Sequence, residues 1–486
     1  MFHEFFSGDC LSDPTSIVPE GPVSPDQVVW WERPLLAAAR LVPGLRTTSL
    51  SKTFHKAVHG SAWTLIGYGV TQLARLITTV LLARMLLGPK EFGLVALVNV
   101  FLTGLEMMSD LGIGMDVVQH VRGDDQDFIN TAFLIQAARG LLLWIVAMAL
   151  AYPFATFYKQ PAIIWLAIVG AASTGLRGFT SGSVWTMTRH VQLRKLTLLT
   201  ASGEAAGLLI AVSWAIISPS AWALVAGRVA SSLVFVVGTH IVAEYPVSTR
   251  WDSRAAKDIL AFGTGIFLST SIYFLTGEGE RLVVGKFVNL VELGCFSLAL
   301  TICAAATTAP TQIINQVFFP MIAQSVREGN GKIAKNFRSV RLLLLLLCAS
   351  LAVVFIAGSQ WIVALLLGPK YAMTGWILQL LGVRAALQLF MSINSSMLFA
   401  VGTSRYHVAG STAKLVFLAV GLGIAFGRFG FREAIWVLAV SPIAVYVALL
   451  VGFFRHFKSV MRVELASFGA LASIAAVTAV ICHIVR

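Results

Sequence analysis

Charge is scarce in this sequence. Only 12% of its 486 residues are Asp, Glu, Lys or Arg, half the share of about 25% found in soluble domains. Nor is there a long hydrophilic stretch that could house a separate soluble enzyme domain. The five cysteines (Cys10, Cys295, Cys303, Cys348, Cys482) show no paired spacing and four fall in apolar segments, so neither a disulfide framework nor a metal cluster is expected. The histidines are dispersed, and there is no His-Glu-x-x-His, Cys-x-x-Cys or P-loop, which removes the zinc-hydrolase, dithiol and P-loop readings. No cofactor is implied.

What the sequence has instead is apolar length. Hydrophobic residues make up 57% of the chain, and runs able to cross a bilayer, about 20 residues each, follow one another from residue 61. Thirteen spans are expected, at roughly 61–86, 92–114, 129–152, 162–186, 197–217, 221–243, 259–284, 292–318, 340–366, 374–401, 406–427, 432–455 and 464–485. The expected fold class is all-α, a polytopic membrane protein of about 13 transmembrane helices (12–14). Gly88-Pro89, Pro153, Pro161, Pro219 and Gly368-Pro369 mark connections. External loops of about four to twelve residues leave no place for the large catalytic loop of a membrane glycosyltransferase or polymerase.

Residues 1–50 stand apart. They hold six of the fifteen prolines (Pro14, Pro19, Pro22, Pro25, Pro34, Pro43) and no span, and read as a flexible cytoplasmic tail with a short interfacial helix over Leu35–Leu50. The net charge of +13 does not imply nucleic acid, because the basic residues sit in short loops between spans. With the N-terminus inside, alternate loops place 21 Lys and Arg in the cytoplasm, those of Arg189–Lys195 and Arg327–Arg341 among them, against 8 outside and 7 within spans. The positive-inside rule then makes the N-terminus cytoplasmic. Arg84, Lys286 and Lys370 lie near span ends and are expected to snorkel to the interface.

An internal repeat divides the spans. Arg84-Met85-Leu86 and Glu91-Phe92-Gly93 follow the first span, while Lys286-Phe287-Val288 and Glu292-Leu293-Gly294 follow the seventh, at offsets of 202 and 201 residues. Six spans separate the copies, so the halves are parallel: a six-plus-six duplication suited to rocking about a central site.

At these residues the sequence resembles the polysaccharide transporter (Wzx-type) flippase family of the multidrug/oligosaccharidyl-lipid/polysaccharide superfamily. Leu82-Ala83-Arg84-Met85-Leu86-Leu87-Gly88-Pro89-Lys90-Glu91-Phe92-Gly93 is similar to its first-loop signature, and Ser109-Asp110-Leu111-Gly112-Ile113 to the end of its second helix. Phe262-Gly263, Arg281-Leu282-Val283-Val284-Gly285 and Leu293-Gly294-Cys295-Phe296-Ser297-Leu298-Ala299 agree in the second half, so the likeness covers about residues 55–455. Glu280 departs from the family's more frequent Asp, and one span rather than two follows residue 460. Because the pattern starts near Lys52, residues 1–50 stand either as a tail or as sequence upstream of the true start.

The resemblance implies two parallel six-helix bundles around a central cavity: residues 51–245 and 246–458, preceded by the tail (1–50) and followed by an additional helix (459–486). It also implies alternating-access flipping of an undecaprenyl-pyrophosphate-linked oligosaccharide from the cytoplasmic to the periplasmic leaflet of a bacterial inner membrane. Capsule, O-antigen or exopolysaccharide synthesis would use the product. Membrane lipids, a polysaccharide polymerase and glycosyltransferases are the implied partners, and a sodium or proton gradient the implied drive. A multidrug or peptidoglycan-precursor exporter of the same superfamily is the alternative, with a membrane polymerase or ligase behind it.

Ionisable residues inside spans cost about 2.5–3.5 kcal/mol each on insertion scales, so they should face protein or a water-filled cavity. The basic ones are Arg75, Arg139, Arg177, Arg228, Arg281, Arg384 and Lys414; the acids are Glu106, Asp110, Glu204, Glu278 and Glu280. Arg139, Arg228, Arg384 and Lys414 have no acid within four residues and rank first as cations of a headgroup cavity, with Arg75 and Arg281 behind them. The acids are read as coupling or structural ion-pair groups. Glu106 and Asp110 are placed to meet Arg75 or Arg139, and Glu278 to meet Arg281. Pro310, with Gln312, Asn315 and Gln316, predicts a kink at a cavity wall, and Ser392-Ile393-Asn394-Ser395-Ser396 a polar run. The small residues Gly170, Ala171, Ala172, Ser173, Gly175 and Gly178 predict close helix packing.

Overall fold

A computed structural model of the chain describes residues 69, 71–190, 192–243, 248–318 and 330–485. The tail, its interfacial helix and the start of the first span lie outside them. Among the described residues there is no strand, and helix follows helix. In the first half these are α1 (71–85), α2 (Pro89–Met107), α3 (Ile113–Gln119), α4 (Gln126–Tyr158), α5 (Ala162–Gly178), α6 (Ser183–Arg189), α7 (Leu193–Ile217) and α8 (Ala221–Ile241). The second half has α9 (Ser253–Gly277), α10 (Gly279–Phe287), α11 (Leu290–Ile313), α12 (Asn330–Leu366), α13 (Ala372–Ala400), α14 (Arg405–Arg428), α15 (Phe431–Val440), α16 (Pro442–His456) and α17 (Met461–Val485).

Ten helical stretches among the described residues are long and apolar enough to cross a membrane, and α5 with α6, bent by 62°, makes an eleventh as a broken span. Of the thirteen expected, the second corresponds to α2, which carries three charged residues, Lys90, Glu91 and Glu106. The first begins outside the described residues. Pro153 marks no connection: α4 runs through it to Tyr158. After Pro310, α11 widens into a π-helical turn over Ile314–Phe318, the disturbance that a proline lacking its N–H produces.

Within the first half α4 packs on α5, α7 on α8, and α2 on α5; within the second α12 packs on α13 and α17, α11 on α13, and α14 on α16. The small residues of the fourth span do what small residues do in bilayers. A Cβ on Gly178 would lie 2.8 Å from the Gly140 Cα, so α4 and α5 meet backbone to backbone.

The repeat motifs start equivalent helices and then touch. The Gly88 N–H donates to Glu91 Oε2 at 3.1 Å to cap α2, and the Asn289 N–H donates to Glu292 Oε2 at 3.1 Å to cap α11. Two residues on, a Cβ on Gly93 would collide with the Leu290 carbonyl, and one on Gly294 with the Pro89 carbonyl. The glycines of the two copies thus let α2 and α11 cross at backbone contact.

Arg341, read from sequence as part of a cytoplasmic loop, is fully buried within α12. It donates to Glu464 Oε1 of α17 at 2.5 Å and to the Phe390 carbonyl at 2.7 Å, while Asn394 and Tyr446 donate to the same Glu464 oxygen. A buried charge needs such a set of partners, and the polar run around Asn394 supplies one of them. The loops preceding α4 and α9 are joined by Arg122, which donates to Asp125 at 2.6 Å and to Asp252 at 2.8 Å. Both acids cap helices, through the N–H groups of Asp127 and Arg254. The Arg122 guanidinium, and then these backbone donors, hold both carboxyls below their ordinary value of 3.8.

Two outcomes follow from this architecture. Gly93→Ala or Gly294→Ala forces the crossing apart and should cost about 1–3 kcal/mol, whereas Gly423→Ala, with open space around it, should be neutral or gain up to about 1 kcal/mol. Thermal unfolding of the purified protein in detergent compares them, and a Gly93→Ala chain that melts like its parent would remove the constraint. The depressed carboxyls add stability above their unfolded value and lose it as pH falls through the folded one. The melting temperature should therefore drop as the pH falls below the ordinary carboxyl value of 3.8, and less steeply in Arg122→Gln. Parallel slopes would count against the bridge.

Candidate functional site

The intramembrane charges divide by half. In the first half, α1, α2, α4, α5, α7 and α8 bring four guanidiniums and three carboxylates to one region. Arg228 of α8 donates to Asn99 Oδ1 at 2.9 Å, to Ser173 Oγ at 3.1 Å and to Glu106 Oε1 at 3.3 Å. The Arg228 and Glu106 side chains each keep 33% of their surface exposed. Glu106 also accepts from the Thr174 hydroxyl at 2.5 Å. Arg139 of α4 turns to the other side of the same turn, donating to the Glu106 carbonyl at 2.7 Å and to Ser109 Oγ at 3.1 Å. Arg75 of α1 meets Glu204 of α7 at 2.9 Å, not Glu106 or Asp110. Asp110 accepts from the Gly112 N–H at 3.0 Å, holding the turn in which Gly112 takes φ +58°.

Arg177, at the end of α5, is exposed, as is Arg75 with 57% of its side-chain surface free. The Arg177 Nε donates to Ser232 Oγ at 3.2 Å and its guanidinium carbon lies 5.7 Å from the centre of the Phe235 ring. Among the described residues no carboxylate pairs with it. Arg75, Arg228, Glu106 and Glu204 all lie near enough to act on its charge. Sequence reasoning left it out of the headgroup cations, although it too has no acid within four residues.

The second half keeps its charges closed. Arg384 of α13 binds Glu280 of α10 in a bidentate pair, two bonds of 2.5 Å, with side chains 7% and 3% exposed. The absence of an acid within four residues had ranked Arg384 as a cavity cation, but that criterion sees contacts inside one helix only, and the partner lies 104 residues away in sequence. Lys414 is also buried and donates to the Thr276 carbonyl at 3.1 Å. That carbonyl sits in the last turn of α9, where a cation satisfies a freed acceptor at the negative end of the helix dipole. Arg281 pairs with Glu278 at 2.6 Å, as its spacing predicts. Arg384 and Lys414 are thus buried against partners of their own half, while Arg281, its side chain 26% exposed, is held in its pair.

Between α1 and the α11–α12 pair lies a cavity of about 490 Å³, with Leu73, Leu76, Ala305, Ala306, Val354 and Phe355 in its walls. Gln72 and Thr308 are the polar side chains that line it. One face of α1 therefore borders an apolar cleft while Arg75 of the same helix reaches the charged cluster.

A family model described as "Polysaccharide biosynthesis protein" matches residues 81–374. The chain is 23% identical over 310 residues to the succinoglycan biosynthesis transport protein ExoT of Rhizobium meliloti (strain 1021), covering 62% of each chain. It is 20% identical over 371 residues to the teichuronic acid biosynthesis protein TuaB of Bacillus subtilis (strain 168), covering 74% of this chain and 76% of TuaB. Among solved structures it is similar to the lipid II flippase MurJ in its inward closed conformation (TM-score 0.64, 13% identity, 86% of this chain and 96% of that one). An inward-facing multidrug resistance transporter of the MATE family, from the MOP superfamily, gives TM-score 0.63 at 14% identity, over 81% and 95%. These likenesses show the fold.

The buried pair in the second half makes its own test. Arg384→Met leaves Glu280 buried and unpaired and should cost about 3–5 kcal/mol, while Arg384→Met with Glu280→Leu should recover most of that loss. Denaturant or thermal melts of the three proteins decide it. Equal losses in the single and double variants would mean that the pair is not what holds α10 to α13.

Proposed function

Because the chain belongs to the polysaccharide biosynthesis protein family, we propose that it moves a lipid-linked oligosaccharide, carried on undecaprenyl pyrophosphate, from the cytoplasmic to the periplasmic leaflet of a bacterial inner membrane. In this reading the N-terminus is cytoplasmic, and residues 51–245 and 246–458 are the two bundles that rock about the site. The first-half cluster carries the reading. A pyrophosphate crossing about 30 Å of hydrocarbon must exchange its hydration for fixed positive charge, and there four guanidiniums meet three carboxylates. Among the described residues Arg177 has no carboxylate partner, and Arg139 and Arg228 are held largely by neutral oxygens. Such bonds can be traded for phosphate oxygens and recovered on release, because a guanidinium donates in a planar fork that fits them. The apolar cleft beside α1 offers the lipid chain a surface of its own kind, next to the helix that bears Arg75.

The experiment is polysaccharide export by Arg177→Gln and Arg228→Gln chains present at parental levels. Each should lower export about tenfold or more, the equivalent of one lost charge-assisted bond, with lipid-linked repeat units accumulating on the cytoplasmic leaflet. Arg177→Lys should retain part of the activity, since charge stays while the fork is lost. Full export by both Gln variants would remove the cluster from the path.

A further inference from the structure

Arg84 and Lys286 hold equivalent places in the internal repeat, 202 residues apart, and they do the same thing in opposite directions. Arg84, in the last turn of α1, donates through Nη1 to the Leu365 carbonyl at the end of α12. Lys286, in the last turn of α10, donates through Nζ to the Phe157 carbonyl at the end of α4 and lies 3.8 Å from the centre of the Phe157 ring. A tyrosine answers from beside each acceptor. Tyr371, just after α12, donates to the Leu87 carbonyl at 3.1 Å, and Tyr158, the last residue of α4, donates to the Leu282 carbonyl at 2.9 Å. Each half therefore extends one cation and one tyrosine to the other and receives one of each.

Snorkelling to a lipid headgroup, expected of Arg84 and Lys286 from their positions, does not describe two side chains that each reach a main-chain acceptor of the opposite half. All four bonds lie beside the Gly93–Gly294 crossing, at the end that the charge count reads as external. Further along the same α1, α11 and α12 the halves stand apart around the apolar cavity. Between α1 and the α11–α12 pair the fold is thus tied at one end and opens into the cavity further along, while the Arg122–Asp252 bridge joins the halves elsewhere.

We propose that Arg84, Lys286, Tyr158 and Tyr371 form the external gate of the transport path, a two-way clasp whose bonds break together when the halves part at that end. The proposal needs the halves to separate but not any particular cargo. Its acceptors are backbone carbonyls, not carboxylates, so each bond is modest and water replaces it on opening. Two-fold duplication matters here: a clasp made of equivalent bonds on both sides of the crossing resists tilting either way, and releasing one side strains the other.

The test measures distance between spin labels across the clasp, on Lys90→Cys with Trp361→Cys and on Lys159→Cys with Val291→Cys. Cys10 and Cys482 are changed to Ala, and Cys295, Cys303 and Cys348 are buried. The parent chain in nanodiscs should give mainly one short separation for each pair. Tyr158→Phe with Tyr371→Phe, and more strongly Arg84→Gln with Lys286→Gln, should add a longer one in both pairs, raising its fraction about fivefold or more. The tyrosine changes keep the ring and lose only a hydroxyl, so a folded variant is at hand even if the cation changes disturb assembly. Unchanged distances in both variants, lengthening in one pair only, or a parent already dominated by the long separation would each overturn the gate. Arg177 sits in the last turn of α5, the far end of that helix from Tyr158, and takes no part in the clasp. The loss of export in Arg177→Gln would leave these distances unmoved, so the gate and the headgroup cluster fail separately.

Discussion

The backbone crossing of α2 and α11 at Gly93 and Gly294 is the constraint on which the rest of the architecture rests. Two helices from opposite halves cannot approach this closely with any side chain between them, and close-packed contacts of this kind do not stretch; they hold or they part. The capping boxes of Glu91 and Glu292 fix where each helix begins, and so fix which residue arrives at the crossing. With the halves pinned near one end, the space between α1 and α11–α12 can exist without the molecule falling into two pieces. The sequence repeat and the capping boxes place that contact, and the cavity lies between helices that it holds together.

The two halves treat charge differently, and the difference is one of reversibility. Arg384 and Glu280 satisfy each other with two short bonds away from solvent, an arrangement that is expensive to open because both ions would be left dry. Arg139 and Arg177 rest on hydroxyl and carbonyl oxygens, and Arg228 on a hydroxyl, an amide and the Glu106 carboxylate at 3.3 Å, and water reaches at least part of the group. Partners of that kind can be exchanged at small cost. The chain thus carries both arrangements: a pair closed from solvent in the second half, and in the first a cluster that mixes ion pairs with neutral oxygen partners.

How much of this was legible beforehand depends on range. The helices, the repeat, the Glu278–Arg281 pair and the close packing around Gly178 depend on spacing within one or two helices, and spacing is what a sequence displays. Arg384–Glu280, Arg75–Glu204 and Arg341–Glu464 join residues more than 100 positions apart, and a rule based on neighbours within four residues is blind to them. Arg341 shows the cost: counted as a loop cation, it is fully buried in α12. Pro153 shows the converse, since a proline in a long membrane helix need not end it when neighbouring elements satisfy the freed carbonyl.

The pairing of Arg341 with Glu464 also bears on the order in which the chain is made. α12 emerges from the ribosome more than a hundred residues before α17, so Arg341 enters the membrane without the carboxylate that later neutralises it. Until α17 arrives, the second bundle holds an uncompensated guanidinium at the site where Asn394 and Tyr446 also wait for an acceptor. α17 presents most of its apolar surface outward, yet its one acidic side chain completes the interior it closes. The second bundle therefore becomes electrically whole only once α17 has been made and has packed against α12 and α13.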